Sequence, residues 1–442
     1  MVLGDGSDVR PAPLHTQLGR TVWRYDFRLP ARGNATYRLG KVTFPVVTDY
    51  SGDVRIAYVA CNGQEHGDAD RPAPERNAMW HRLAGEHDRA PFGLLLHGGD
   101  QLYADEVLQS HPALSRWAAG TLQEKAAQAL TADMQEAAEA HYFQRYLTLY
   151  ALPEFASLSA RVPALMMWDD HDIFDGWGSL PEELLDSPVG RGIFDIARRM
   201  FMLFQLGATD TMRPPGCDEA QPGSLGQSVR FPQFSILAPD LRSERRPTQV
   251  MGPNGWAAFE RSLAEIEDGD RILIMSSVPL LGPCLSLIEK LLDVVPHAQK
   301  YEDDLRDQWQ SRSHRAEWKR MLETLERRAL DGGNGVTILS GEIHLAGRAE
   351  MPFKNGTIMH QLVASGIAHP PPPRFYARAL GLLSAMGENP LPGQQVRLKP
   401  LPGYRYTYAA ERNYLVVDRR GKEWSAAWEL EESGLTPAIR LS

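Results

Sequence analysis

The chain has 442 residues, more than one small module, since a domain takes roughly 100–200. Its 43% hydrophobic and 23% charged content excludes a disordered chain, and no fixed repeat period marks a solenoid. Lysine and arginine total 47 against 56 aspartates and glutamates, a net charge of −9; phosphate backbones are bound by clustered cations, so no nucleic acid is expected as a structural partner.

The first residues, MVLGDGSDVRPAP, have no basic flank followed by an apolar core, so no signal peptide is visible. The sequence as it stands reads as cytoplasmic, or as exported if a leader has been removed. Residues 1–48 carry short alternating stretches, 21–29 and 35–44, punctuated by Gly and Pro. They predict a small β-rich N-terminal domain, with 49–442 as one larger domain.

From Asp53 the pattern becomes strand, loop, helix. Short apolar runs predict buried strands at 55–61, 92–97, 162–168, 231–237, 271–277, 336–340 and 361–364. Helices are predicted within 118–152 (one or two), 256–266 and 314–329, the last with a polar outer face. Residues 216–226 and the four prolines 370–373 read as loops, the prolines extended. Long loops at 175–230 and 366–400 are expected around a substrate pocket. The run 278–295 holds two prolines and three charges, so it is no membrane span. Cys61, Cys217 and Cys284 form no CxxC pair, which excludes a disulfide scaffold and a thiolate zinc module. No function is assigned to Cys217 or Cys284. The alternation predicts a layered α/β domain, with ligands beyond the carboxyl ends of the strands.

Four of those ends carry ligand-type residues. One strand ends at Cys61, and a second runs into Asp100 and Tyr103. A third gives Asp169, Asp170, His171 and Asp172, and a later one Glu342 and His344. Singly, each has an ordinary reading: Cys61 as a small buried hydrophobe, Asp100 as a turn residue, Tyr103 and His344 as core side chains. Together they point to metal ions. Three carboxylates around one His repel each other unless a cation or solvent intervenes, the alternative being a solvated loop of capping aspartates. Two cations can hold both the attacking and leaving oxygens of a phosphoryl transfer. Asp100 is the candidate bridging carboxylate and His171 the candidate general acid. Carboxylates suit Ca(II), Mg(II) or Mn(II), whereas a phenolate and thiolate suit ferric iron or zinc.

The ordered set GGDQLYADE (98–106), MMWDDHDIFDGWG (166–178) and LSGEIHLAG (339–347) resembles the alkaline phosphatase D-like (PhoD-like) metallophosphatases, a branch of the calcineurin-like phosphoesterases. ACNG at 60–63, LRSERR at 241–246, the Trp318 helix and ASGIAHPP at 364–371 agree. The resemblance spans about 50–420. It implies a sandwich of two mixed β-sheets flanked by helices, with 49–442 as the catalytic domain. It also implies a cluster of two or more metal ions, Fe(III) with Ca(II) foremost and Mn, Zn or Mg as alternatives. The activity implied is hydrolysis of phosphate monoesters, diesters or both through a metal-bound hydroxide. Residue by residue, it places Cys61, Asp100, Tyr103, Asp170, Glu342 and His344 on the metals and His171 in catalysis. Glu342 stands where an Asp is usual, one methylene longer, and ACNG stands where Ser-Cys is usual. A catalytically weakened, metal-stabilised scaffold is therefore the alternative.

Asp169 and Asp105 are candidates to orient the ligands. Arg242, with Arg245 and Arg246, is a candidate phosphate clamp or else a solvated basic turn. Trp168, Phe174 and Trp177 are pocket-wall or core aromatics.

Overall fold

A computed structural model describes all residues except 32–33, 219, 222, 284–306 and 385–386; Cys284 and much of the run 278–295 lie outside the described residues. Two mixed sheets face each other. The seven-stranded sheet has the parallel strands Val54–Val59, Leu94–Gly98 and, at its edge, Ala164–Met167, with Asn413–Arg420 antiparallel beside Val54–Val59 and Glu423–Leu430 antiparallel beyond it. In the nine-stranded sheet, Phe234–Ala238, Arg271–Ser276, Val336–Ser340 and Ile358–Ala364 run parallel, edged by antiparallel strands.

Period-two burial explains the layering. Ile56, Tyr58, Leu94 and Leu96 face the nine-stranded sheet, while Ala57, Val59 and Leu95 face a helical layer. That layer holds Ala78–Arg89, Ala132–Tyr150 and Pro188–Phe204, through Trp80, Tyr142, Tyr146 and Ile193 among others. On the far side, Trp256 and Phe259 of Pro253–Ala264 and Trp318 and Leu322 of Arg315–Gly332 cover the nine-stranded sheet. With both faces covered, the central strands read as continuous apolar runs.

Residues 1–48 contribute the hairpin Ala12–Gln17 and Arg20–Arg24 and a three-stranded sheet. Leu14 and Val22 pack on the helical layer, and the Tyr37 hydroxyl donates to the Ala160 carbonyl at 2.5 Å. No helix among the described residues is long and apolar enough to cross a membrane.

Three expectations change. The run 231–237 is two antiparallel strands, Gln227–Phe231 and Phe234–Ala238, turned at Gln233 with φ 70°. The stretch 175–230 holds a 17-residue helix, capped where Ser187 Oγ accepts from the Gly190 N–H at 3.0 Å. The stretch 366–400 holds the helix Arg374–Ser384 and the strands Glu388–Leu391 and Gln394–Lys399.

Candidate metal centre

The carboxyl ends of strands from both sheets meet at one rim. Backbone bonds fix it: the Cys61 and Asn62 N–H groups donate to the carbonyls of Gly99 and Asp100 at 3.2 and 2.7 Å. The Gly341 N–H donates to Ser277, and Ile367 and His369 donate to Ala60 and Cys61. Six described non-glycine residues have positive φ: Leu18, Cys61, Asp100, Gln233, Glu342 and His344. Four of the six are residues expected at the metals. Such backbone costs on the order of 1 kcal/mol each and collects at functional sites.

Asp172 organises the acidic side. One of its carboxylate oxygens accepts from the N–H groups of Asp100 and Asp169, both at 2.9 Å. The other accepts from the Leu102 N–H at 3.1 Å and the Gln205 amide at 3.0 Å. Asp100, Asp170 and His171 each offer a ligand atom within 4.8 Å of one another, which makes them a candidate metal centre. Cys61 Sγ lies 3.5 Å from Asp100 Oδ2 and 3.1 Å from Ser365 Oγ. The Tyr103 hydroxyl lies 3.2 Å from His344 Nε2, and the Tyr103 ring stacks on His171 with centroids 4.4 Å apart. Glu342, half-buried, accepts from the Gln308 amide at 2.7 Å. Cys61, Glu342 and His344 do not join the 4.8 Å group.

The surrounding polar groups hold these side chains in place. Asp105 meets His171 Nδ1 at 3.0 Å and also accepts from the Asp175 N–H at 2.7 Å. Asp170 accepts from the Gly176 N–H at 2.8 Å. Ser277 donates to Asp169 at 2.8 Å.

Arg242 is 0% exposed. Its Nε donates to Asp169, and its other groups reach the Trp177 carbonyl at 2.9 Å, Asp307 at 2.6 and 3.1 Å, and Asp170 at 3.4 Å. Four of the five guanidinium donors are thereby hydrogen-bonded, and the group also pairs with Asp170. Arg242 sits behind the acids as their counter-charge, and neither a phosphate clamp nor a solvated turn describes it. Arg245 is likewise buried, 2.9 Å from Asp307, whereas Arg246 pairs with Asp186 at the surface. Trp168, Phe174 and Trp177 are core side chains.

Burial dominates the electrostatics. It pushes Asp100 well above the carboxylate range, helped by Asp169. It raises Asp169 and Asp175 to about 6 and Asp172 to about 7. Burial likewise raises the Cys61 thiol and the Tyr103 phenol, with neighbouring anions adding to it. Burial works against the imidazolium of His171, yet Asp105 and Asp170 outweigh it and hold the group well above its ordinary value. His344 is pushed well below by burial and by His369. Asp100 Oδ1 and Asp169 Oδ2 are buried without a hydrogen-bond partner. A cation satisfies such oxygens and favours the ionised form of the groups it touches, so the donor set fits metal ions.

Several residues here were not singled out in the sequence. Asp172 stood in the acidic run without a role. His369 stood in ASGIAHPP; its ring stacks on His344 at 3.4 Å and its Nε2 lies 3.4 Å from Glu65. Asp307 carried no signal.

The family profile of the PhoD related phosphatases matches residues 72–302, just over half of the chain. The match contains Asp100, Tyr103, Asp170 and His171 and ends before Glu342. An uncharacterized protein of Saccharomyces cerevisiae, YGR266W, is 25% identical over 391 residues, 69% of this chain and 55% of that protein. The chain thus spans about half the length of that curated relative. The solved structure of PhoD is similar with TM-score 0.59 at 14% identity, covering 96% of this chain and 80% of that one, which shows a common fold. A dimetal phosphatase from Danio rerio gives 0.42 at 10% identity, over 88% of this chain and 98% of that one. The strand-end residues sit on a fold shared with PhoD, and the chain belongs to the PhoD related phosphatases.

Proposed function

We propose that this protein hydrolyses phosphate esters with two or more metal ions held by Asp100, Asp170, Cys61, Tyr103, Glu342 and His344. The observation that carries the reading is the convergence of Asp100, Asp170 and His171 within 4.8 Å around a buried, unpartnered Asp100 oxygen. When bound, the cations supply Lewis-acid activation of water and neutralise charge on the phosphoryl oxygens. The chain's own residues do the rest. Asp105 takes His171 Nδ1 and leaves Nε2 to give a proton to the departing oxygen. Arg242 and Ser277 fix Asp169, which with Asp105 sets the orientation of the ligands. The Tyr103–His171 and His344–His369 ring stacks keep bulk water from the acidic side. Iron with calcium is the proposed pair, since a phenol and thiol stand beside hard carboxylates.

Elemental analysis with a visible spectrum tests the metals. Iron near one per chain, with a tyrosinate band lost in Tyr103→Phe, is the expected result. Colourless protein that stays inert with iron, calcium, manganese and zinc overturns the reading. Chromogenic monoesters and diesters then set the substrate type. For His171→Gln, hydrolysis should fall by about a hundredfold, most for poor leaving groups; retained metal content assigns His171 to proton transfer, and lost metal assigns its ring to the cation with Asp100 and Asp170.

The Gln308 bond to Glu342 favours a second reading, a detuned site on a scaffold. Under it, Glu342→Asp gives no gain in activity although both forms bind metal.

A further inference from the structure

The 11-residue helix Arg374–Ser384 is apolar on two sides. Ala377 and Leu380 pack inward with Leu345, Tyr408 and Ala410. The outer face carries Phe375, Arg378, Ala379 and Leu382, spaced three and four apart, hence one stripe. Phe375 is 74% exposed and Leu382 77%. A surface helix ordinarily turns polar residues outward. Here the outward charges are all basic. Arg374 and Arg378 are exposed, and the Arg378 and Arg405 guanidinium groups lie 4.7 and 6.0 Å from the half-exposed Tyr406 ring. Among the described residues, the acidic contact of the stripe is the surface pair of Arg374 with Glu432, which water screens.

We propose that this helix lies flat in the headgroup layer of an anionic lipid bilayer. Phe375 and Leu382 enter the acyl boundary, and Arg374, Arg378 and Arg405 meet lipid phosphates. Charge complementarity selects the occupant. In a molecule of net charge −9, a cationic rim around an apolar stripe suits an anionic plane, and arginine stems lie along an apolar boundary while their heads stay with phosphate. The helix does not span: at 1.5 Å per residue it is about 16 Å long, about half the hydrocarbon core. The extended prolines 370–373 tie it to His369, which stacks on His344.

The full chain is sedimented with phosphatidylcholine vesicles, with and without about 30% phosphatidylserine, at about 0.1 M salt. Binding should be about tenfold stronger with phosphatidylserine, and the double variant Phe375→Ser/Leu382→Ser should lose about tenfold on the same vesicles. Arg374→Gln/Arg378→Gln should abolish the preference for anionic vesicles. All four side chains face solvent, and unchanged circular dichroism and thermal midpoint verify the fold. No sedimentation of the wild type overturns the proposal, as does binding that neither variant alters. So does self-association by light scattering that the apolar variant abolishes, which would assign the stripe to a second copy of the chain. The test requires no turnover, so it stands apart from the phosphoesterase reading.

Discussion

Asp172 shows how one side chain sets the backbone of a candidate site. Its two oxygens accept four N–H groups, two each. Asp172→Asn replaces one oxygen with a donor and leaves at least one backbone N–H unpaired, that of Leu102 where the Gln205 amide turns to accept, or those of Asp100 and Asp169 in the other orientation. At about 1–3 kcal/mol per group, the variant should lose about 3 kcal/mol of stability, read from urea unfolding. A loss below about 1 kcal/mol would mean that the four bonds do not hold the turn. His97, four residues from Gln101 and bonded to it at 2.9 Å, is fully buried, and burial lowers its pKa to about 4. The unfolded chain takes up this proton near pH 6.5 and the folded chain only near pH 4. Its share of stability is present above pH 6.5 and lost as pH falls through that window. At pH 5 the loss is about 2 kcal/mol, and His97→Asn should flatten the stability curve by that amount. Equal slopes between pH 7 and 5 in the two proteins would refute this.

At the scale of elements, the strand ends depend on close approach. A Cβ at Gly98 would fall 1.8 Å from the Tyr58 hydroxyl oxygen, in a ring that is 0% exposed. Gly98→Ala should therefore destabilise by about 3 kcal/mol, and pairing it with Tyr58→Leu should cost less than the two changes summed, in a double-mutant cycle. Additive losses would place the strain elsewhere. The same geometry explains what the sequence made readable. Strands covered on both faces, such as Val336–Ser340 and Arg271–Ser276, are mostly apolar runs whose ends stood out. Strands such as Ala346–Pro352 and Glu423–Leu430 interleave charge with small residues, and no run marks them. The helix Pro188–Phe204 opens on Pro with Gly190 and Gly192 in its first turns, which resembles a loop. The candidate strand-end residues were legible because each lies within a few residues of an apolar run. His369 and Glu65 were not, because they meet across 304 positions and only the fold joins them. Arg242 misled for a related reason: a basic run looks solvated until its acidic partners, Asp169 and Asp307, are brought to it.

For the whole molecule, the rim is where the two sheets bring the proposed ligands together. Cys61, Asp100 and Asp170 follow strands of the seven-stranded sheet, and Glu342 and His344 follow a strand of the nine-stranded one. Bound cations would tie the sheets together, and without them burial and the neighbouring acids hold Asp100 out of its ionised form. Metal should therefore raise the thermal midpoint by several degrees, since a ligand at a thousand times its Kd contributes about 4 kcal/mol. Asp100→Asn separates function from stability. It removes a buried carboxyl whose Oδ1 has no partner and whose ionised form burial disfavours. The chelated variant should melt at or above the chelated wild type, while its metal-dependent increment disappears. Differential scanning calorimetry of both proteins, chelated and loaded, reads all four midpoints. An increment that survives in Asp100→Asn would show that this carboxylate does not hold the metals. A chelated variant that melts well below the wild type would show that Asp100 serves the fold first, against the tendency of functional sites to hold groups that stability alone would not select.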